Sequence, residues 1–447
     1  MAGWLTWVLT GALPFLVSVA MVVMLCLLLF RYFAEPFYPG LSLVETVGRV
    51  RRKEAAPVFK KEPPRRPGYH LGRVVLWVAG LWAASRALIL LIALVGAYLQ
   101  GDLWGFIRDF EYHWVRWDAN HYLGLAENWY VNEGDPRFHI VFYPLYPLTV
   151  MIFRFLFMGN TILSAVFVSN ICLIVSGVLM YDLVLKEQDR AGARRAVAYL
   201  MFCPLSLFYS IPYSEALFLM LCLLSVVLAR RRHFGWAVFC GALCAATRSL
   251  GVLIAAPVYL EMLRQARERS LMGESRAQSV KRVAGYTLLC CLILAGLGAY
   301  LLLNYRVTGN PFQFLIYQSE HWSQRFGNIA DTLRYTMEYA LNYHDWGTRM
   351  GTWIPQAVLM IAVLILMGVT LNRVHPGDGA YAWLYMFMAM APTWLLSGPR
   401  YISAMYALYP MMSMITRRKG QQAAMAIVIL LLNIYFVYLY SIEGCVL

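Results

Sequence analysis

Several runs of twenty or more apolar residues, near 12–31, 74–99, 161–185 and 283–306, decide what this chain can become. Crossing a bilayer takes about 20 consecutive apolar residues at 1.5 Å rise each. Across all 447 residues, 60% are hydrophobic and 14% charged. A soluble domain holds roughly 45–50% apolar and about 25% charged residues. The chain therefore reads as an all-α polytopic membrane protein. The first run has no basic stretch before it and no clear cleavage site, so it reads as an anchor rather than a signal peptide.

Hydropathy predicts about twelve spans, near 12–31, 74–99, 161–185, 196–211, 213–229, 234–247, 249–263, 283–306, 353–371, 380–396, 402–416 and 421–441. Several fall below about 17 residues, which implies broken helices or uncertain ends. Loops rich in basic residues, from Arg49 to Arg73, Lys186 to Arg195, Arg230 to Arg232, Arg264 to Arg282 and Arg417 to Lys419, alternate with acid-bearing loops near 100–143 and 307–352. The positive-inside rule puts the basic set in the cytoplasm. The stretch 145–158 is apolar but short and interrupted by Arg154, so it is expected to be interfacial or re-entrant within a long first outer loop. The resulting plan has three parts: an accessory first helix over 1–31, a basic Pro-rich cytoplasmic linker over 32–73, and a membrane domain over 74–441. That domain contains outer loops at 100–158 and 307–352.

The net charge of +14 comes from these short loops. It fixes topology and does not indicate nucleic acid. Eight of nine cysteines lie in apolar segments, so they read as small buried hydrophobes rather than a disulfide framework; only Cys445 falls outside one. No Gly-rich phosphate loop, HExxH or CxxC is present.

Against this apolar background one polar cluster stands out. Arg116-Trp117-Asp118-Ala119-Asn120-His121-Tyr122 is followed by Glu127 and Tyr130, then by Phe142-Tyr143-Pro144-Leu145-Tyr146-Pro147. On the expected topology other polar residues reach the same side: Tyr213-Ser214-Glu215, Arg248, His344-Asp345 and Pro399-Arg400-Tyr401. Ionisable residues at membrane depth are costly and mark function. Each also has a plainer reading. Asp118 suits a helix cap, and Glu215 a structural bridge to Arg248. Arg248 and Arg400 suit snorkelling to lipid phosphates. His121 shares a helical face with Asp118 as a hydrogen-bonding partner. His344 and Asp345 suit an ordinary loop, and the tryptophans an interfacial belt. A transporter or lipid flippase, or a binding protein without catalysis, is the rival class. The first of these predicts internal repeats and midplane charges, and the sequence shows no repeat.

The strings RWDANHYLGLAENWY and FYPLYP resemble the first large loop of the PIG-V-type mannosyltransferases. Ser169-Asn170, Pro204 to Phe208, Tyr213 to Phe218, Thr247-Arg248-Ser249 with Gly251, and Pro399-Arg400-Tyr401 follow in the family's order. The resemblance spans roughly 74–441 and implies a GT-C-like bundle with an acidic base in its first outer loop. It implies transfer of a monosaccharide, expected to be mannose, from a polyprenyl-phosphate carrier to an extracytoplasmic acceptor, with Asp118 as base. Arg116, Trp117, His121, Tyr143, Tyr213, Glu215, Arg248, Arg400 and Tyr401 are the expected substrate-binding residues. The short cytoplasmic loops suggest a bacterial-type member in the plasma membrane. The expected partners are the lipid-linked donor, a glycolipid, polymer or protein acceptor, and membrane lipids. Neither a metal nor a cofactor is expected.

Overall fold

The computed structural model describes residues 6–38 and 70–442. Most of the basic linker, including Arg49 to Arg66, and Cys445 lie outside the described residues. Within them the fold is helical, with a lone bridge between Phe326 and Pro392 in place of strands. A short π-helical turn leads into α1 (Leu13–Ala34), and α2 (Leu71–Leu99) follows. The segment 100–158 contains α3 (Leu103–Arg108), α4 (Phe110–His113), α5 (Asp118–Asn128) and α6 (Leu145–Phe153). Next come α7 (Thr161–Glu187), α8 (Arg190–Met201), α9 (Glu215–Arg230), α10 (Phe234–Ala245), α11 (Ala255–Leu271), α12 (Arg276–Cys291) and α13 (Leu294–Thr308). The segment 307–352 carries α14 (Gln313–Trp322) and α15 (Ile329–Asn342). The chain ends with α16 (Ile354–Thr370), α17 (Pro376–Ala389), α18 (Gly398–Ser403), α19 (Leu408–Ile415) and α20 (Lys419–Ser441).

Among the described residues six helical segments are long and apolar enough to cross a membrane: 8–34, 71–99, 161–187, 276–308, 346–370 and 419–441. The expected count of twelve is not reached by this measure. The difference lies in α8, α9, α10, α11, α17 and α19, which have 12, 16, 12, 17, 14 and 8 residues. At 1.5 Å per residue these rise about 12–25 Å, less than the ~30 Å of bilayer hydrocarbon. Broken backbone at such depth is tolerated only when protein surrounds it. That condition holds here: the Cys203–Tyr213 connection between α8 and α9 is almost wholly buried, and so is most of α9. The apolar 145–157 stretch bends by 108° from the segment before it, the geometry of a broken span or a re-entrant loop.

The two ends of the bundle collect different charges. At the basic-loop end Arg230 is held by Glu187 and by Asp378 at 2.6 Å. Arg231 meets Asp182, and Arg232 meets Glu268. The first helix is fastened there too. Glu35 pairs with Arg264, Arg31 donates to the Leu371 carbonyl, and Tyr32 donates to the Ala256 carbonyl at 2.6 Å. Helix α9 rises about 22 Å from Glu215 to Arg230. At its Glu215 end lie the residues singled out by the sequence.

Candidate active site

Helix α5 presents Asp118 as its first residue. The preceding Trp117 has φ 49°, and Trp129 after the helix has φ 61°. Bulky residues enter that region at a cost of about 1–3 kcal/mol, which surrounding structure must hold. Tyr213 provides one restraint, its hydroxyl donating to the Arg116 carbonyl at 2.9 Å. Tyr440 near the end of α20 provides another. The Arg116 guanidinium lies 5.1 Å from its ring centre, Trp117 meets it edge-on at 5.3 Å, and Trp114 stacks on it at 6.2 Å. The Asp118 side chain accepts from Arg400 rather than from a backbone N–H of the helix, so a purely capping role is not what the structure shows.

Asp118 is instead the outer end of a chain of alternating charges. Its Oδ2 accepts from Arg400 Nη2 at 2.6 Å. Arg400 Nε lies 3.1 Å from Glu215 Oε1, which is 2.6 Å from Arg248 Nη1. The side chains of Glu215, Arg400 and Arg248 are 1%, 8% and 12% exposed, whereas that of Asp118 is 24% exposed. The carboxylate reachable from outside is thus tied to a sequestered network. The Glu215–Arg248 bridge expected from the sequence is present, and it shares its carboxylate with Arg400. Isolated charges are not stable at this depth; alternation of sign and close geometry offset the desolvation cost.

Aromatic faces line the arginines. The Tyr401 ring lies 5.0 Å from the Arg248 guanidinium and 5.5 Å from that of Arg400, and Tyr213 lies 5.1 Å from Arg400. Arg248 Nη1 also donates to Ser214 Oγ at 3.2 Å, and Ser214 shares a 2.8 Å hydrogen bond with Tyr122. His121 stacks on Phe142 at 4.9 Å and touches His139 at 4.8 Å. Burial pushes its pKa down, the Asp118 charge opposes this, and His321 adds to the lowering.

Of the residues expected to bind substrate, Glu215, Arg248, Arg400, Tyr213 and Tyr401 join Asp118 in one network. Arg116 and Trp117 support the loop through Tyr440. His121 sits on the same helix, within the aromatic cluster. Tyr143 is not part of the charge network: it stacks on Tyr300 at 3.9 Å and is 8% exposed. A side chain at a loop motif can face either the site or the adjoining helix, and packing chose the helix. Asp345 accepts from Thr348 N–H at 2.7 Å as an exposed helix cap, as its plainer reading anticipated. The sequence reading gave no role to Ser214, Tyr440 or Gln356. Gln356 is fully buried, accepts from Gly398 N–H at 3.0 Å and donates to the Leu395 carbonyl at 2.8 Å. It fixes the turn that delivers Arg400. A polar residue inside an apolar run was the available signal for Gln356; Tyr440 offered none.

The separated motifs also touch. Tyr146 hydrogen-bonds Ser169 at 2.9 Å, Ser169 donates to the Ile211 carbonyl at 3.0 Å, and Leu145 N–H donates to the Ala246 carbonyl at 3.2 Å. Asn170 donates to the Ser210 carbonyl at 3.0 Å.

The Mannosyltransferase (PIG-V) family model matches residues 97–309, a segment that holds Asp118, Glu215 and Arg248 and ends before Arg400. The chain is similar to that family over this segment, which supports a membrane glycosyltransferase enzyme. No curated protein matches the chain. Among solved structures, an Archaeoglobus fulgidus oligosaccharyltransferase in complex with zinc and sulfate matches at 15% identity and TM-score 0.37. That match covers 74% of this chain and 48% of the other. The A. fulgidus enzyme tethered with an acceptor peptide matches at 12% identity and TM-score 0.38, covering 80% and 54%. The chain spans about half the length of those structures.

Proposed function

We propose that this chain, similar to the PIG-V mannosyltransferases through its central segment, moves one sugar, mannose, from a polyprenyl phosphate to a hydroxyl of an acceptor on the outer face of the plasma membrane. The observation that carries the reading is the Asp118–Arg400–Glu215–Arg248 chain, with the carboxylate at its exposed end. Arg400 occupies Asp118 Oδ2, and Oδ1 has no hydrogen bond to any described residue. That oxygen takes the proton of the acceptor hydroxyl as the hydroxyl oxygen attacks the anomeric carbon. The bond from that carbon to the carrier phosphate breaks on the opposite side. One displacement inverts the anomeric centre, with a single carboxylate and no covalent sugar intermediate.

The departing polyprenyl phosphate gains a second negative charge. A fixed cation aimed at it stabilises the transition state more than the ground state. Arg248 suits this role better than Arg400. Arg400 is already shared between two carboxylates, whereas Arg248 uses Nη1 for Glu215 and Ser214, and no hydrogen bond from its Nη2 falls on a described residue. Loss of that contact is expected to raise the barrier by about 3–4 kcal/mol. Side-chain cations supply the positive charge on this reading, so no metal is invoked.

The test is incubation of purified protein with polyprenyl-phosphate mannose and native lipids, with products identified by mass spectrometry. Asp118→Asn keeps the shape and removes the base. Transfer is expected to fall at least ~10²-fold with expression unchanged; near wild-type transfer would end the assignment of Asp118. Arg248→Lys keeps the charge and loses the fork, so undiminished transfer there argues against a forked phosphate contact.

A further inference from the structure

A groove of about 330 Å³ runs between the last turns of α1 and helices α11, α12 and α17. Its walls include Tyr32, Phe33, Tyr259, Cys291, Leu294 and Ala380. The hydroxyls in these walls are satisfied internally. Tyr32 donates to the Ala256 carbonyl, and Tyr259 hydrogen-bonds Thr287 at 2.8 Å. What remains is apolar surface between membrane helices, at the small end of the ~300–1,000 Å³ range of ligand pockets. One alkyl chain suits it.

Hydrocarbon alone selects nothing here, since a lipid tail is as well solvated by neighbouring tails as by the groove. Selection has to come from the head group, and both walls lead to a cation. Along α11, Arg267 stands two turns beyond Tyr259, about 12 Å further toward the basic-loop end. In the turn just past the first helix, Phe37 follows Phe33 by four residues, and the Arg267 guanidinium lies 5.0 Å from the Phe37 ring. Arg264 on the same helix is consumed by Glu35 and by Glu261 at 3.2 Å. No described carboxylate pairs with Arg267, and its buried Nε has no hydrogen-bond partner.

We propose that this groove and Arg267 form a binding site for one anionic phospholipid, with an acyl chain between α1 and the bundle and the phosphate at the guanidinium. Its head-group end lies toward the basic-loop end of α11, and the site uses the first helix, which precedes the family-matched segment. The lipid wedges that helix onto the bundle beside the Glu35–Arg264 pair.

Native mass spectrometry of the full chain, titrated in detergent with dioleoyl-phosphatidylglycerol or dioleoyl-phosphatidylcholine, tests the site. The tails are identical, so the ratio of retained lipids reads the head group. Wild type is expected to favour the glycerol lipid about five-fold, the preference one cation near a membrane surface confers. Arg267→Gln brings the ratio to about one, and Arg267→Lys keeps it. Cys291→Trp, at an exposed position on the groove wall, lowers occupancy by both lipids. Equal retention by wild type, a ratio untouched by Arg267→Gln, or unchanged occupancy in Cys291→Trp overturns the proposal. None of these results bears on Asp118.

Discussion

At the scale of single residues, Glu215 matters as much as Asp118. Among the described residues it is the one carboxylate that both buried arginines approach, within 2.6 Å for Arg248 and 3.1 Å for Arg400. Glu215→Gln leaves Arg248 without a described carboxylate and Arg400 with Asp118 alone. Removing one partner from a buried ionic group costs about 3–5 kcal/mol, so we expect a lower thermal midpoint and little folded protein, readable by fluorescence-detected size exclusion after heating. Asp118→Asn should do less to stability, because Asp118 is partly exposed. An unchanged midpoint in Glu215→Gln would show that the network is not structural. These residues were legible in the sequence because charge inside an apolar run is conspicuous. Their pairing was only half legible: spacing suggested Glu215 with Arg248, but nothing in the chain announced that Arg400, 282 positions after Asp118, would bind it.

At the scale of elements, the site depends on short helices that stop in the right place. Arg248 sits in the turn after α10, and Gly251 closes that turn by donating to the Arg248 carbonyl at 2.9 Å. A Cβ on Gly251 would lie 2.2 Å from the Cys244 carbonyl oxygen, a backbone atom that cannot swing aside. Gly251→Ala therefore has to push the turn away from α10 and displace Arg248. Misplacing a reacting group by about 1 Å can cost 10²-fold; we expect transfer to fall at least ten-fold, with a lower thermal midpoint. Wild-type transfer by this variant would show that the turn has slack. Hydropathy located these elements but misplaced their ends: α8 and α19 are shorter than the expected spans, whereas α11 starts later and runs longer. An apolar run marks what is buried from water, whether by lipid or by protein, and does not say where a helix breaks.

For the whole molecule, the end of the first helix is bonded to α11 and to the loop after α16. Glu35→Gln removes one of two carboxylates at Arg264. The loss should be below the ~3–5 kcal/mol of a fully broken buried pair, since Glu261 remains 3.2 Å away. We expect a lower thermal midpoint with transfer intact below it; a midpoint equal to wild type would show that the helix is held by apolar packing alone. The sequence by itself determined the solvent of this protein and which polar residues were out of place, because hydropathy and charge act position by position. Only the tertiary structure decided which arginine faces which carboxylate, that Tyr143 turns to Tyr300 and that Tyr440 supports the Asp118 loop. Those contacts join residues hundreds of positions apart, and their energies depend on distances that no local pattern encodes.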